Sequence, residues 1–173
     1  MESPKFSTLI KKKIFQIKWN EKINETEFFL YKKNVKSEIR SVEVSKKVSI
    51  ISKIPEIRQL LISMQRDFGK NRGIVVDGRD IGTIVFPKSE LKIFLKGSIE
   101  IRSYRRYKNI KTEEKKNISY EEVKKDLVYR DTMDINRKYS PLKKSINAIE
   151  IDNTFLNAEE QLNIINQLIN KIK

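Results

Sequence analysis

The spacing of apolar residues changes period several times along the chain, and each change predicts an element. Ile14 to Trp19 (IFQIKW) and Glu27 to Tyr31 (EFFLY) read as strands, with the polar NEKINET between them as a turn. Together they predict a small antiparallel element. Residues 41–53 read as a short helix. Pro55 opens a second helix at its first position, where the missing N–H costs little. Ile57, Leu60, Leu61, Met64 and Phe68 recur at helical spacing and give that helix one apolar face, and Gly73 closes the connection. Two short apolar runs follow, Ile74 to Val76 and Leu91 to Leu95, and these predict parallel strands of an α/β sheet. A long helix begins near Ser98, and KNIKTEEKKN after it reads as a mobile connection. Ser119 to Glu122 (SYEE) is a capping box for another helix. Ala148 to Ile151 predicts a further strand. Asn157 to Glu160 caps a last helix with Leu162, Ile165, Ile169 and Ile172 on one side.

Composition narrows this picture. The 173 residues suggest about one domain, with 38% hydrophobic and 35% charged residues. No run of eighteen apolar residues predicts a membrane span, and MESPKFSTLIKKK has no signal-like apolar stretch, so the expected compartment is the cytoplasm. Cysteine and histidine are both absent, which excludes disulfides, zinc sites and histidine acid–base catalysis. The net charge of +14 fits either a solvated lysine surface or a partner made of phosphates, and most lysines are assigned to the surface.

The arginines carry more information. Lysine outnumbers arginine 27 to 10, and every arginine falls between Arg40 and Arg137. In a lysine-biased chain, a position that stays arginine needs the planar fork, which grips phosphate or carboxylate with two parallel hydrogen bonds. Arg66 and Arg72 also fit ordinary ion pairing.

Three constellations follow from that map. DGRDIG (Asp77 to Gly82) lies just beyond the run Ile74 to Val76, and in open α/β sheets ligands bind beyond the carboxyl ends of strands. Gly78 and Gly82 allow a sharp turn and close approach, Arg79 suits a phosphate, and Asp80 suits a base amino group; a purely structural turn is the alternative. On the helix after Ser119, Val123 and Leu127 mark the inward face, which continues into Arg130, Asp134 and Arg137. Unpaired buried charge is costly, so this face is expected to run out over a polar cleft, with a surface ion-pair ladder as the alternative. RSYRR (Arg102 to Arg106) suits a lid over phosphates or a solvated basic face. GxxxxGK[ST], the loop that cradles nucleotide phosphates, does not occur in the 173 residues.

SEIRSVEVS, the region from Ile54-Pro55 to Arg58, DGRDIGTIVFP, KIFL, RSYRR, RDTMDINR and the late DNT occur in the order seen in bacterial cytidylate kinases, and the chain resembles that family over nearly its whole length. The resemblance implies a P-loop-kinase-like parallel sheet flanked by helices. The remainder of a small antiparallel monophosphate-binding insert would occupy residues 1–53, and a kinase core residues 54–173, with a lid at about 98–125. It implies phosphoryl transfer from ATP to CMP or dCMP in pyrimidine nucleotide metabolism, with Mg²⁺ held mainly through the ATP phosphates and no metal site of the chain's own. Position by position, the family's cytosine contacts fall on Ser49, Arg58 and Asp80. Arg130 and Asp134 match residues near the sugar, and Arg79 and Arg137 match arginines around the monophosphate. Arg105 and Arg106 match lid arginines that neutralise the transferring phosphoryl. The family's first strand, phosphate loop and following helix have no counterpart, nor do the serine and tyrosine–arginine pair before the insert, and Lys96 replaces a usual acidic residue. The expectation is therefore a shortened or partial chain, with a separate chain supplying the remainder. The alternatives are a CMP-binding kinase relative without activity and a basic RNA-binding protein; no aromatic–basic run supports the latter.

Overall fold

A computed structural model describes residues 15–71, 73–114 and 117–172; the side chains at 42, 45, 46, 49, 113 and 114 lie outside that description. Ile14 and Arg72 therefore fall outside it, as does the side chain of Ser49. The chain divides into two compact units, Met1–Leu60 and Leu61–Lys173, each treated by itself.

In the first unit, β1 (Phe15–Asn20) and β2 (Glu25–Leu30) pair antiparallel, from Phe15 opposite Leu30 to Asn20 opposite Glu25. The register puts Phe15, Ile17 and Trp19 on one face with Phe28 and Leu30, and Phe15 stacks on Phe28. A third strand, β3 (Lys33–Asn34), was not expected from the pattern. It follows a two-residue reversal in which Tyr31 and Lys32 both have positive φ, 50° and 66°. Such a turn normally announces itself with Asn-Gly or Asp-Gly, and here it is made by bulkier residues at a strain cost. Glu27 ties the sheet together by accepting from the side-chain amides of Asn20 and Asn34. A 3₁₀ turn (Glu38–Arg40) leads to α1 (Val42–Ile51), whose N-cap Ser41 accepts from the Val44 N–H at 3.3 Å. Helix α2 (Pro55–Phe68) opens on its proline, as the sequence predicts, and the boundary between the units falls inside it.

In the second unit, a π-helical turn (Ile81–Val85) precedes β4 (Ile93–Lys96). Helices α3 (Ile99–Asn109) and α4 (Tyr120–Asn136) then cross to β5 (Ile149–Asp152), and α5 (Ala158–Asn170) ends the fold. β4 and β5 pair in parallel, Ile93 opposite Ile149 through Lys96 opposite Asp152. Helices α3 and α4 pack on each other, and Ser103 at the α3 surface is fully buried. Arg102 bridges outward from the same helix to Gly97 O and to Asp131 of α4, at 2.8 and 2.6 Å. Both predicted capping boxes form, at Ser119 with Glu122 and at Asn157 with Glu160.

Four expectations need correction. Ile74 to Val76 is not a strand: no ladder partner exists for it among the described residues, and Val75 is 96% exposed. A parallel strand is held by neighbours on its edges, and an apolar run without a neighbour stays unpaired. KNIKTEEKKN does not read out as a wholly mobile connection. Helix α3 continues to Asn109 and a π-helical turn follows over Ile110–Glu114, because Ile110 is buried among the few core residues, with Val85, Val123 and Ile151. On α5, Leu162 is exposed and the less exposed stripe runs through Ile164, Ile165, Leu168 and Ile169, while Ile172 lies beyond the helix end and is exposed. On α2, Leu61 and Phe68 are exposed, so the apolar face is only partly covered. No helix among the described residues is long and apolar enough to cross a membrane.

Candidate active site

The site is built on the turn after Asp77. Asp80 O accepts from Ile84 N at 2.9 Å, Val85 N at 3.2 Å and Thr83 Oγ1 at 3.3 Å, and Phe86 N donates to Ile81 O at 2.7 Å. The Val85 and Phe86 bonds, each spanning five residues, make the π-helical turn, a form that recurs at functional sites. Asp80, at the start of the turn, is 8% exposed. Gly78 is needed here: a Cβ would lie 2.8 Å from Cγ1 of Ile81. Gly82 is not constrained in that way, since a Cβ there would meet Lys92 at an ordinary 3.5 Å. The far end of the turn is held by Arg66 of α2, which sequence reasoning left with ordinary ion pairing. Its Nε donates to Val85 O at 3.0 Å and its Nη2 to Ile84 O at 2.7 Å. The only signal in the sequence was that this position stays arginine in a lysine-rich chain.

Helix α4 brings the other half. Asp134 is the hub: its side chain is 10% exposed and faces three guanidinium groups. Arg79 Nε donates to Oδ2 at 2.9 Å, Arg137 Nη1 to Oδ1 at 3.0 Å, and Arg130 Nε stands 3.9 Å from Oδ2. Of the face expected to emerge over a cleft, Asp134 and Arg137 are enclosed, because their charges satisfy one another. Arg137, just past the helix end, is the extreme case. Its side chain is 6% exposed and its Nε donates to Ser140 O, while Leu142 N returns to Asp134 O. Arg79 and Arg130 are more open, near 40% exposed. Three guanidinium charges on one carboxylate leave a positive excess. The pKa of Arg130 is held below an arginine's ordinary value by burial first and then by the charges of Arg79 and Arg106, with Asp134 and Asp131 opposing. Arg106 of α3 thus belongs to the same electrostatic neighbourhood.

Arg105, its neighbour on α3, is placed differently. Its Nη2 donates to Asn153 O at 2.9 Å and Leu156 O at 2.8 Å, with Thr154 O at 3.4 Å, all in the loop after β5. Ser98 N donates to Thr154 Oγ1, and a Cβ on Gly97 would lie 2.5 Å from Asn153 Oδ1, so the ends of β4 and β5 are drawn tightly together. Ser49 falls on α1 and Arg58 on α2, both in the first unit; Arg58 Nη1 donates to Ser52 O at 3.2 Å. Asp80, Arg79, Arg130, Asp134 and Arg137 all lie in the second unit. Among the described residues there is no cluster of three carboxylate, histidine or cysteine side chains to hold a metal. Asp134 is already committed to arginines, so the described donor set does not fit a protein-held divalent ion.

A buried carboxylate, three converging arginines and a turn at the end of an apolar run thus lie in one unit. Comparison with known proteins decides the family. The family profile described as Cytidylate kinase matches residues 5–173. The chain belongs to the cytidylate kinase family. It is 45% identical over 157 residues to the cytidylate kinase of Flavobacterium psychrophilum, covering 91% of this chain and 69% of that protein. It is 43% identical over 157 residues to the cytidylate kinase of Flavobacterium johnsoniae, with 91% and 68% covered, and 39% identical over 163 residues to that of Clostridioides difficile, with 93% and 74% covered. Membership makes the chain a nucleoside monophosphate kinase, a nucleotide-binding transferase of the α/β class to which its motifs already pointed.

Proposed function

We propose that the second unit holds the acceptor of an ATP-dependent phosphorylation of CMP or dCMP, giving CDP or dCDP in the cytoplasm. The observation that carries this reading is the shared carboxylate: Asp134 faces Arg79, Arg130 and Arg137 and leaves positive charge to spare beside the Asp80 turn. A monophosphate offsets that excess, and arginine offers it two parallel bonds where an ammonium offers a point charge.

Phosphoryl transfer needs positioning and charge neutralisation more than covalent help. In this reading Arg130 and Arg79 grip the CMP phosphate, and Arg137 acts through Asp134, which its buried guanidinium holds in place. Asp80 accepts from the base amino group. Arg106 is the lid arginine assigned to the transferring phosphoryl, since Arg105 Nη2 already serves the loop carbonyls. Mg²⁺ enters as a companion of the ATP phosphates. The unladdered run Ile74 to Asp77 is the edge on which we propose that a further strand pairs.

A coupled ADP-release assay with ATP and CMP tests the reading. Turnover with CMP and dCMP, lost in Arg130→Ala, supports it; turnover indifferent to Arg130 overturns it. The second reading is CMP binding without turnover. The same assay beside a CMP titration separates the two.

A further inference from the structure

Arg66 lies on α2, apart from the arginines around Asp134, yet it grips the same turn that carries Asp80. Its Nε and Nη2 donate to Val85 O and Ile84 O at 3.0 and 2.7 Å. Those two carbonyls lie where the turn's own ladder runs out, and such terminal carbonyls need a donor from elsewhere. One planar fork satisfies two neighbouring acceptors at fixed spacing, which a single ammonium cannot match. The end of α2 is also drawn against the turn's exit: a Cβ on Gly69 would lie 2.5 Å from Cε1 of Phe86. At the opposite end, Asp80 O takes the Ile84 and Val85 amides. The same two residues thus bond to Asp80 through their N–H groups and to Arg66 through their carbonyls. A shift of the fork is passed through one peptide layer to Asp80.

We infer that Arg66 is a positioning residue that sets the Asp80 carboxylate for the base of the bound nucleotide, without touching the nucleotide itself. The inference rests on the acceptor-site reading above. A hydrogen bond to a recognition group is worth roughly tenfold in affinity, so the effect is read as specificity rather than as fold stability.

The test compares CMP with ribose 5-phosphate, which keeps the sugar and phosphate and lacks the base. Both are titrated calorimetrically into wild type, Arg66→Lys, Arg66→Gln, Asp80→Asn and the Arg66→Lys/Asp80→Asn double variant, with melting temperatures in parallel. The expected result is a loss of roughly tenfold in CMP affinity in either Arg66 variant, with ribose 5-phosphate affinity within about twofold of wild type. Asp80→Asn loses the same preference, and adding Arg66→Lys to it costs nothing further, because coupled residues are not additive. Arg66 variants that melt earlier but keep the wild-type preference for CMP overturn the inference and leave Arg66 a structural staple; so do additive losses in the double variant. Wild-type protein that does not prefer CMP to ribose 5-phosphate overturns the acceptor-site reading, and this inference with it.

Discussion

Replacing Asp134 by Asn removes one negative charge and almost no volume, so it isolates what the carboxylate does. The aspartate side chain is 10% exposed and accepts from Arg79 at 2.9 Å and Arg137 at 3.0 Å, with Arg130 at 3.9 Å. An amide can satisfy one of these donors, but its own NH₂ then faces another. Breaking a buried pair costs about 3–5 kcal/mol, because the abandoned charge stays desolvated. That figure applies in full only to Arg137, at 6% exposure. Arg79 and Arg130, near 40% exposed, can turn toward water, and pairs of that kind contribute at most about 1 kcal/mol. The expected loss is therefore near the lower end, about 3 kcal/mol. For a chain of this size that lowers Tm by about 6–12 °C. Urea denaturation followed by circular dichroism measures it. The same variant raises the unbalanced positive charge at the site, so added inorganic phosphate should stabilise Asp134→Asn more than wild type. A loss below about 1 kcal/mol, together with an equal response to phosphate, would refute the placement of Asp134 as the charge hub.

Arg105→Ala should speed amide exchange at Ser98 and through 153–156 and cost about 1–2 kcal/mol. Arg105→Lys should keep most of that protection, since an ammonium also offers three donors; equal loss in both would contradict the clamp. Glu38 has its pKa lowered from 4.5 to about 2, chiefly by the hydrogen bond from Lys33, with its own N–H and Ser37 adding to it. Its contribution is present above pH 4.5 and is lost as pH falls through about 2. Glu38→Gln should flatten the acid limb of the stability curve in that window, and an unchanged slope would show the pair to be inert. Val75→Lys, at a 96% exposed position, should change stability by less than about 0.5 kcal/mol while reducing self-association in light scattering. A large loss of stability would show that Val75 is packed.

What the sequence made legible was local. Proline at the start of α2, the Ser119 and Asn157 capping boxes, and the strand pair β1–β2 depend on residues within a few positions, and all formed as expected. Arg130, Asp134 and Arg137 were legible as one helix face from their spacing, and the family resemblance set Arg79 beside Arg137. What pattern could not convey was which partner each group takes. Arg105 and Arg106 are adjacent and chemically identical, yet one is engaged by loop carbonyls and the other bears on Arg130. Arg66 serves backbone carbonyls almost twenty residues away, a role that no side-chain pattern encodes. Ile74 to Val76 has the composition of a buried strand, but strandedness depends on a neighbour that composition cannot supply. β3 was hidden for the opposite reason: its reversal uses Tyr31 and Lys32 where glycine or asparagine would have marked it.

The claim that organises these observations is that the arginines around Asp134, together with the Asp80 turn, form a nucleoside monophosphate site. Calorimetric titration of CMP into wild type and Arg130→Ala addresses it most directly. The account predicts one CMP per chain, with affinity falling roughly tenfold or more in the variant, as expected when a charged hydrogen bond is lost. Absence of saturable CMP binding by wild type, or equal binding by the variant, would contradict it.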